Sequence, residues 1–526
     1  GVRTICFCRA RQQVERLYRA VIDRHPDLRD RVRPYRGGLL PNERRQLERD
    51  LFEGRITTIV TTNALELGID IGDLDLCLLS GHPGTIASFW QQSGRVGRKG
   101  DRALTVFIAK DAPVDQYLVN HPEFVTSTAV ESAWLNADNP YILLQHLPCA
   151  AYEHPLRQNE PAFPDTAFGM AVDVLKEDGV LAPYHECFRY DLRDYPARAV
   201  NLRGMTDYNV DIYCGTEVIG ELDPVGARGT LYKDAIYQHL GKRYMSRELD
   251  LEKKLCRVEE VNVDYYTEAV WENRVEMTEC EQEQQIGDAD LRFGFIHVNK
   301  QPKLYKKIRE RTFENIGYGP ITLPPFEYDT TGFSLLPPAA WKQAVDGKDK
   351  RYAGAAFFGL SYILRRTAPS LCMADVKDIE TDVSLHETEK TQWRGALYLY
   401  DTHEGGVGYA EKICERIREA LELCRAVAGE CECDSGCPAC VPPLPPGVDN
   451  RELEDLLVES DASLRCTESL LAALLDEQVI LPQVQTVRRQ RTPAVQPPPT
   501  DVERERLGQR LQRASAILRQ KREREH

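Results

Sequence analysis

Two glycine-bounded turns constrain this chain more than any other feature. Thr61-Thr62-Asn63-Ala64-Leu65-Glu66-Leu67-Gly68-Ile69-Asp70-Ile71-Gly72 follows an apolar, β-like run over Ile56–Val60. Gln91-Gln92-Ser93-Gly94-Arg95-Val96-Gly97-Arg98-Lys99-Gly100 comes next in order and sets two arginines between glycines. If the second segment enters a helix, Arg95 and Arg98 lie one turn apart, and both guanidinium forks can point toward phosphates held by another domain. Arginines in that position stabilise charge developing on a transferred phosphoryl group. The bland reading is an ordinary α/β domain with a glycine-rich turn.

The beginning of the chain supplies the frame. Val2–Cys8 is a β-branched and aromatic run, and Arg9–Asp23 repeats Val14, Leu17, Tyr18 and Val21 at helical spacing, so the chain opens as strand then helix. Together these segments resemble motifs IV, V and VI (QxxGRxGR) in the second RecA-like lobe of superfamily 2 helicases. The resemblance implies that Arg95 and Arg98 act on ATP with magnesium, that Gln91 is the motif VI glutamine, and that Gly68 and Asp70 lie near the nucleotide. It also puts the Thr62 hydroxyl on a nucleic-acid phosphate. Asp70 read alone is equally a helix-end or turn residue.

Tyr35–Arg45 carries Gly37 and Gly38 before a helix that opens near Pro41, a place where backbone N–H groups and Arg36 can meet a phosphate. In the family this turn, with Arg36 and Gly37, lies against the nucleic-acid backbone; otherwise it is a plain loop and cap. No GxxxxGK[ST] loop and no DExH or DEAD tetrad occurs in the sequence. The expected partner is therefore a first RecA-like lobe that binds most of the ATP and magnesium, and the sequence is expected to be part of a longer chain.

A chain of 526 residues has room for roughly three or four domains. Its net charge of −15 excludes a protein that is basic all over, so a DNA site must be a local positive groove. No apolar run approaches membrane-spanning length. Most of the sixteen cysteines stand singly in apolar segments, which suits a reducing cytoplasm better than a disulfide framework.

Residues 1–145 form the lobe, with His82-Pro83-Gly84-Thr85 before a helix carrying Phe89 and Trp90, whose rings are expected to pack rather than stack on bases. Short helices separated by X-Pro steps lead into 146–198, where an amphipathic helix ending at Gly179 and an aromatic strand pair read as winged-helix-like. Residues 199–321 read as a β-rich domain, a small β barrel or sandwich, because period-two alternation dominates from roughly Ala199 to Val298. Tyr232, Tyr237, Tyr244, Tyr265 and Tyr266 there serve either as a base-stacking platform or, as strands more often use them, as core pairs. In 322–475 a small-residue helix covers Ala353–Arg366, and strand Leu397–Asp401 enters the turn Glu404-Gly405-Gly406-Val407-Gly408. That turn lacks the lysine and hydroxyl of a P-loop, which favours tight backbone packing over phosphate binding. Residues 476–526 are a charged tail, solvated helix or disordered arm, with DNA phosphates as a sharper alternative.

Cys431-Glu432-Cys433-Asp434-Ser435-Gly436-Cys437-Pro438-Ala439-Cys440 places four thiols within ten residues. Four soft ligands suit a closed, structural tetrahedral zinc site, with a four-iron cluster as the alternative and Cys424 as a reserve ligand. Motifs IV–VI, the HPEF and DNPY segments, VDYY, YDxxxGGxG and CxCxxxCPxC together resemble the MrfA (YprA) type of DEAD/DEAH-box DNA helicase with a C-terminal MrfA zinc-binding domain. The resemblance covers roughly residues 1–470 and implies an α/β multidomain chain: RecA-like parallel-sheet lobe, winged-helix-like segment, β-rich domain and α+β zinc-binding domain. Members translocate 3′ to 5′ on single-stranded DNA and are linked to DNA repair. The family's histidine-rich helix is not apparent around Ala353. A second reading is a non-catalytic DNA-binding or regulatory subunit that uses the lobe as a scaffold.

Overall fold

In the computed structural model, the described residues are 2–481 apart from 68–73, 98–102, 135, 137–138, 158–159, 162–164, 199, 201–207, 347–350, 389–391, 434–435, 443–461 and 480. Gly68, Asp70, Arg98 and the tail beyond 481 lie outside them.

The lobe is built on β1 (Thr4–Cys8), β2 (Val32–Tyr35), β3 (Thr58–Thr61), β4 (Leu76–Ser80) and β5 (Leu104–Ile108), all parallel in the order β2-β3-β1-β4-β5. Every residue of β1 is buried, as expected of a central strand covered on both faces. Helices α1 (Arg11–Arg24), α2 (Pro41–Phe52) and α3 (Ile86–Ser93) supply those covers. The winding reverses about β1, which leaves a crevice at the carboxyl ends of the strands.

Short helices α4 (Pro113–Asn120) and α5 (Glu123–Thr126) lead to a small unit of α6 (Pro140–Glu153), β6 (Leu156–Arg157), α7 (Asp165–Glu177), β7 (Leu181–Tyr184) and β8 (Cys187–Tyr190). Its core joins Leu143 and Leu147 of α6 to Phe168, Val172 and Leu175 of α7. The three strands lie in the order β6-β8-β7, a winged-helix arrangement.

Next come β9 (Val210–Cys214), β10 (Glu217–Leu222), helix α8 (Pro224–Thr230), β11 (Ile236–His239), β12 (Lys242–Asp250) and β13 (Leu255–Glu260). The sheet order is β10-β9-β13-β12-β11, antiparallel except where β13 meets β9. Tyr232, Tyr237, Tyr244 and Tyr266 are buried, so these rings are core pairs and not an exposed stacking platform.

Two long strands then form one hairpin, β14 (Tyr265–Ile286) and β15 (Ala289–Arg309), turning at Gly287 with φ +57. At about 3.3 Å per residue each spans roughly 70 Å, longer than a domain core. Near its start β15 pairs with β17 (Phe326–Leu335), from Leu291 opposite Leu335 to Lys300 opposite Phe326. Near its end it pairs with β16 (Asn315–Pro320). Strands β18 (Ile379–Thr388) and β19 (Gln392–Asp401) complete the sheet in the order β14-β15-β17-β19-β18. One sheet therefore crosses residue 321, where a domain border was expected.

Helices α9 (Ala339–Asp346), α10 (Arg351–Thr367), α11 (Tyr409–Glu415), α12 (Ile417–Gly429) and α13 (Ala462–Leu474) pack on that sheet through the largest apolar core of the chain. The small residues of α10 let α13 approach closely. A Cβ placed on Gly359 would fall 1.9 Å from Thr467 Oγ1.

Candidate nucleotide, nucleic-acid and metal sites

The two signature turns are joined through Glu66. Its side chain is buried and accepts hydrogen bonds from Ser88 Oγ at 2.8 Å and from Gln92 Nε2 at 2.8 Å. The Arg95 guanidinium donates to the Glu66 carbonyl. Sequence reasoning passed over Glu66 and Gln92; the signal available was a carboxylate and an amide inside two otherwise apolar, glycine-bounded turns. Thr62 is buried, and its Oγ1 accepts from Ala64 N at 3.4 Å, capping the short turn after β3. Gln91 is exposed on α3, while its neighbour Gln92 is buried.

Two expectations are corrected here. Helix α3 ends at Ser93, so Arg95 follows a turn and not a helix, and its side chain is only 6% exposed. It faces inward onto the first turn. Arg36 is also interior, at 2%. Its guanidinium donates to Glu15 Oε1 at 2.8 Å, Gln238 O at 3.0 Å and His239 Nδ1 at 3.1 Å. Glu15 in turn accepts the amides of Leu240 and Gly241 in the β11–β12 turn. Arg36 therefore fastens α1 to the β-rich part, with its guanidinium taken up by these interior partners. A buried charge is tolerated only when paired in this way. Gly37 beside it stays half-buried against the Arg11 guanidinium.

At the carboxyl ends of β1, β3 and β4 lies a small open cleft, lined by Cys8, Arg9, Asn63, Ser80, Gly81 and Gln92, and bordered by Asp375 and Lys377 of the later part of the chain. Phe89 packs into the lobe core, as expected, and Trp90 is half exposed with its Nε1 donating to Val125 O at 3.1 Å.

The Glu404–Gly408 turn carries its own anion. Asp401, fully buried, accepts from Val407 N at 2.7 Å, Gly408 N at 2.8 Å and Ala410 N at 2.8 Å. Those amides would otherwise be the ones offered to a phosphate at the start of α11. The turn also docks on the DNPY segment: Asn139, which caps α6, donates to Glu404 O at 3.1 Å and Gly406 O at 2.5 Å.

The four cysteine sulfurs lie within 4.8 Å of one another. Sγ separations are 3.5 Å for Cys431–Cys437, 3.4 Å for Cys433–Cys440 and 3.7 Å for Cys437–Cys440. Sulfurs about 2.3 Å from a tetrahedral ion would be roughly 3.8 Å apart, so the set fits zinc. Gly436 makes the bend, with φ +83 and no room for a Cβ beside Val441 O. Tyr362 Oη of α10 holds the loop by donating to Pro438 O at 2.6 Å. Burial pushes the Cys431 thiol up to about 11 and raises Cys440 as well, so a bound cation is what would hold both as thiolates. Cys424 is not needed as a reserve: it lies in the core against Thr367 Oγ1 at 3.3 Å.

Three family models match in the order of the fold: "Helicase conserved C-terminal domain" over residues 1–100, "ATP-dependent helicase HRQ1, winged helix domain" over 135–205, and "MrfA Zn-binding domain" over 360–441. The crystal structure of DUF1998 helicase MrfA bound to DNA superposes with a TM-score of 0.64 at 34% identity, covering 90% of this chain and 62% of that one. The chain matches the C-terminal portion of the MrfA/YprA-type superfamily 2 helicases. Among MrfA-type relatives, the uncharacterized ATP-dependent helicase YprA of Bacillus subtilis is 36% identical over 84% of this chain and 59% of its own length. ATP-dependent helicase HRQ1 of Saccharomyces cerevisiae is 31% identical over 84% of this chain and 43% of its own. The MrfA structure with DNA and AMPPNP gives a TM-score of 0.59 at 34% identity, covering 86% and 60%. The chain thus spans about half the length of the curated MrfA-type relatives it matches. Among its described residues no helix is long and apolar enough to cross a membrane.

Proposed function

We propose that this chain acts as the C-terminal half of an ATP-dependent DNA helicase. The nucleotide and magnesium are held chiefly by a first RecA-like lobe, and this lobe closes over them. Arg98 is the arginine that meets the triphosphate, with Gly68, Asp70 and Gln91 beside the nucleotide. Arg95, turned inward on the Glu66 carbonyl, holds the two signature turns in register so that Arg98 is presented. Thr62 and the backbone at Gly37 lie along the DNA strand. The observation that carries this reading is the tie of both motifs through Glu66 beside a cleft at the carboxyl ends of a parallel sheet.

Zinc on Cys431, Cys433, Cys437 and Cys440 serves structure: four protein ligands leave no open position for chemistry. The cysteines outside this cluster form no disulfide, and a reducing cytoplasm is the setting proposed for the chain. DNA repair and 3′ to 5′ movement are proposed as its setting on the motif resemblance alone. An unwinding assay of the longer protein, with its first lobe, on tailed duplexes of both polarities tests the proposal. Unwinding of 3′-tailed duplex that Arg98→Ala abolishes is expected. The chain alone should show no DNA-stimulated ATPase, and robust turnover by it would overturn the division of labour.

A further inference from the structure

Asp375 sits at the mouth of the cleft between two cations from different parts of the chain. Its Oδ1 is 3.5 Å from Arg9 Nη2, at the end of β1, and its Oδ2 is 3.6 Å from Lys377 Nζ. Lys377 N also donates to Asp375 Oδ1 at 3.1 Å. Lys110 adds charge on the same side: its side chain passes 3.2 Å from where a Gly81 Cβ would stand. Below, His82 is 3% exposed and its Nε2 has no hydrogen-bond partner. Asn63, next to Thr62, lines the same cleft. Gly84, with φ +119, brings bare backbone to the rim, where a Cβ would stand 3.8 Å from both Arg9 Nη2 and Asp375 Oδ2.

A carboxylate held at 3.5 and 3.6 Å by side chains 31% and 70% exposed is a weak tie. A phosphate offers more accepting oxygens to the same two cations and would replace it at little cost.

We infer that the Asp375 carboxylate occupies the place of a DNA backbone phosphate, and that Lys377, contributed by the zinc-binding part, is a strand contact opposite Arg9. This rests on the DNA-binding reading above and assigns to the zinc-binding part a direct share in the track. Asp375 would then act as a competitor that a strand must displace.

The test is fluorescence anisotropy of a labelled oligothymidylate with the purified chain across a salt series. Asp375→Asn should tighten binding by about threefold or more, because it removes the competing charge but keeps the turn. Lys377→Ala should weaken it by about three- to tenfold and flatten the salt slope by about 0.7, the share of one single-strand phosphate contact. The Asp375→Asn, Lys377→Ala double variant should lose the gain. Failure of the wild type to bind the strand would overturn the helicase reading itself. Normal wild-type binding that Asp375→Asn leaves unchanged or weakens would overturn this inference alone. So would free ATP displacing the strand more readily from Asp375→Asn than from wild type, because the cleft anion would then be a nucleotide's.

Discussion

Gln92 Nε2 donates to Glu66 Oε2 at 2.8 Å, and this buried contact, with that of Arg95 on the Glu66 carbonyl, holds the two signature turns of the lobe together beside the cleft. Ser88 shares the same carboxylate. Glu66→Ala leaves a buried amide and hydroxyl without their acceptor, and should lower unfolding free energy by about 2–4 kcal/mol. Glu66→Gln keeps one acceptor oxygen and should cost less. Urea denaturation of both variants checks the order; equal losses would show that shape, not the carboxylate, is what counts.

Asp401 gives a sharper case, because three backbone N–H groups converge on it. Asp401→Ala should cost about 3 kcal/mol or more, as unsatisfied buried donors do. It should also loosen the Glu404–Gly408 turn from Asn139, exposing both segments to limited proteolysis. Cleavage confined to other sites would contradict the interlock.

Metal analysis of the purified chain should give about one zinc per molecule, lost in Cys437→Ser. Chelation should lower the melting temperature, since binding energy at a closed four-cysteine site is folding energy. An iron signal in place of zinc would overturn the choice of ion.

His239 predicts acid sensitivity at the junction of the lobe and the β-rich part. Burial and the neighbouring Arg36 guanidinium hold it down to about 4, with Glu15 opposing and Glu43 Oε1 3.9 Å from its Nε2. Below its ordinary value of 6.5 the unfolded chain takes up a proton that the folded chain refuses until about pH 4. Its contribution is therefore whole above pH 6.5 and is lost as pH falls toward 4. Asp401 works the other way: burial pushes it up to about 6, so it favours the folded state as pH falls from 6 toward 3.8. Denaturation at several pH values should show His239→Asn flattening the acid loss. An unchanged slope would place the sensitivity elsewhere.

Much of the lobe was legible because its evidence is local. A fully buried strand reads as a continuous apolar run, and glycine-bounded turns announce themselves by composition. The cysteine loop was legible for the same reason, since its ligands come from ten consecutive residues. The burial of Arg36 and Arg95 was not legible, because a buried guanidinium looks like an exposed one until its partners are known, and those of Arg36 at Gln238 and His239 lie some two hundred positions away. Alternation of period two read the region as a small β barrel or sandwich but said nothing of the length of β14 and β15 or of which sheet each half would join. The Glu404–Gly408 turn was rightly favoured as packing, yet that Asp401 would supply its anion followed only from the folded backbone.

The β14–β15 hairpin has a mechanical corollary. Ten residues of β15, Leu291 to Lys300, find their second neighbour in β17, while its far end belongs with β16. Cutting the chain at 322 to obtain a free zinc module would strip that strand of a partner and leave a raw, sticky edge. The two halves are expected to melt as one unit, since a single strand is shared between them.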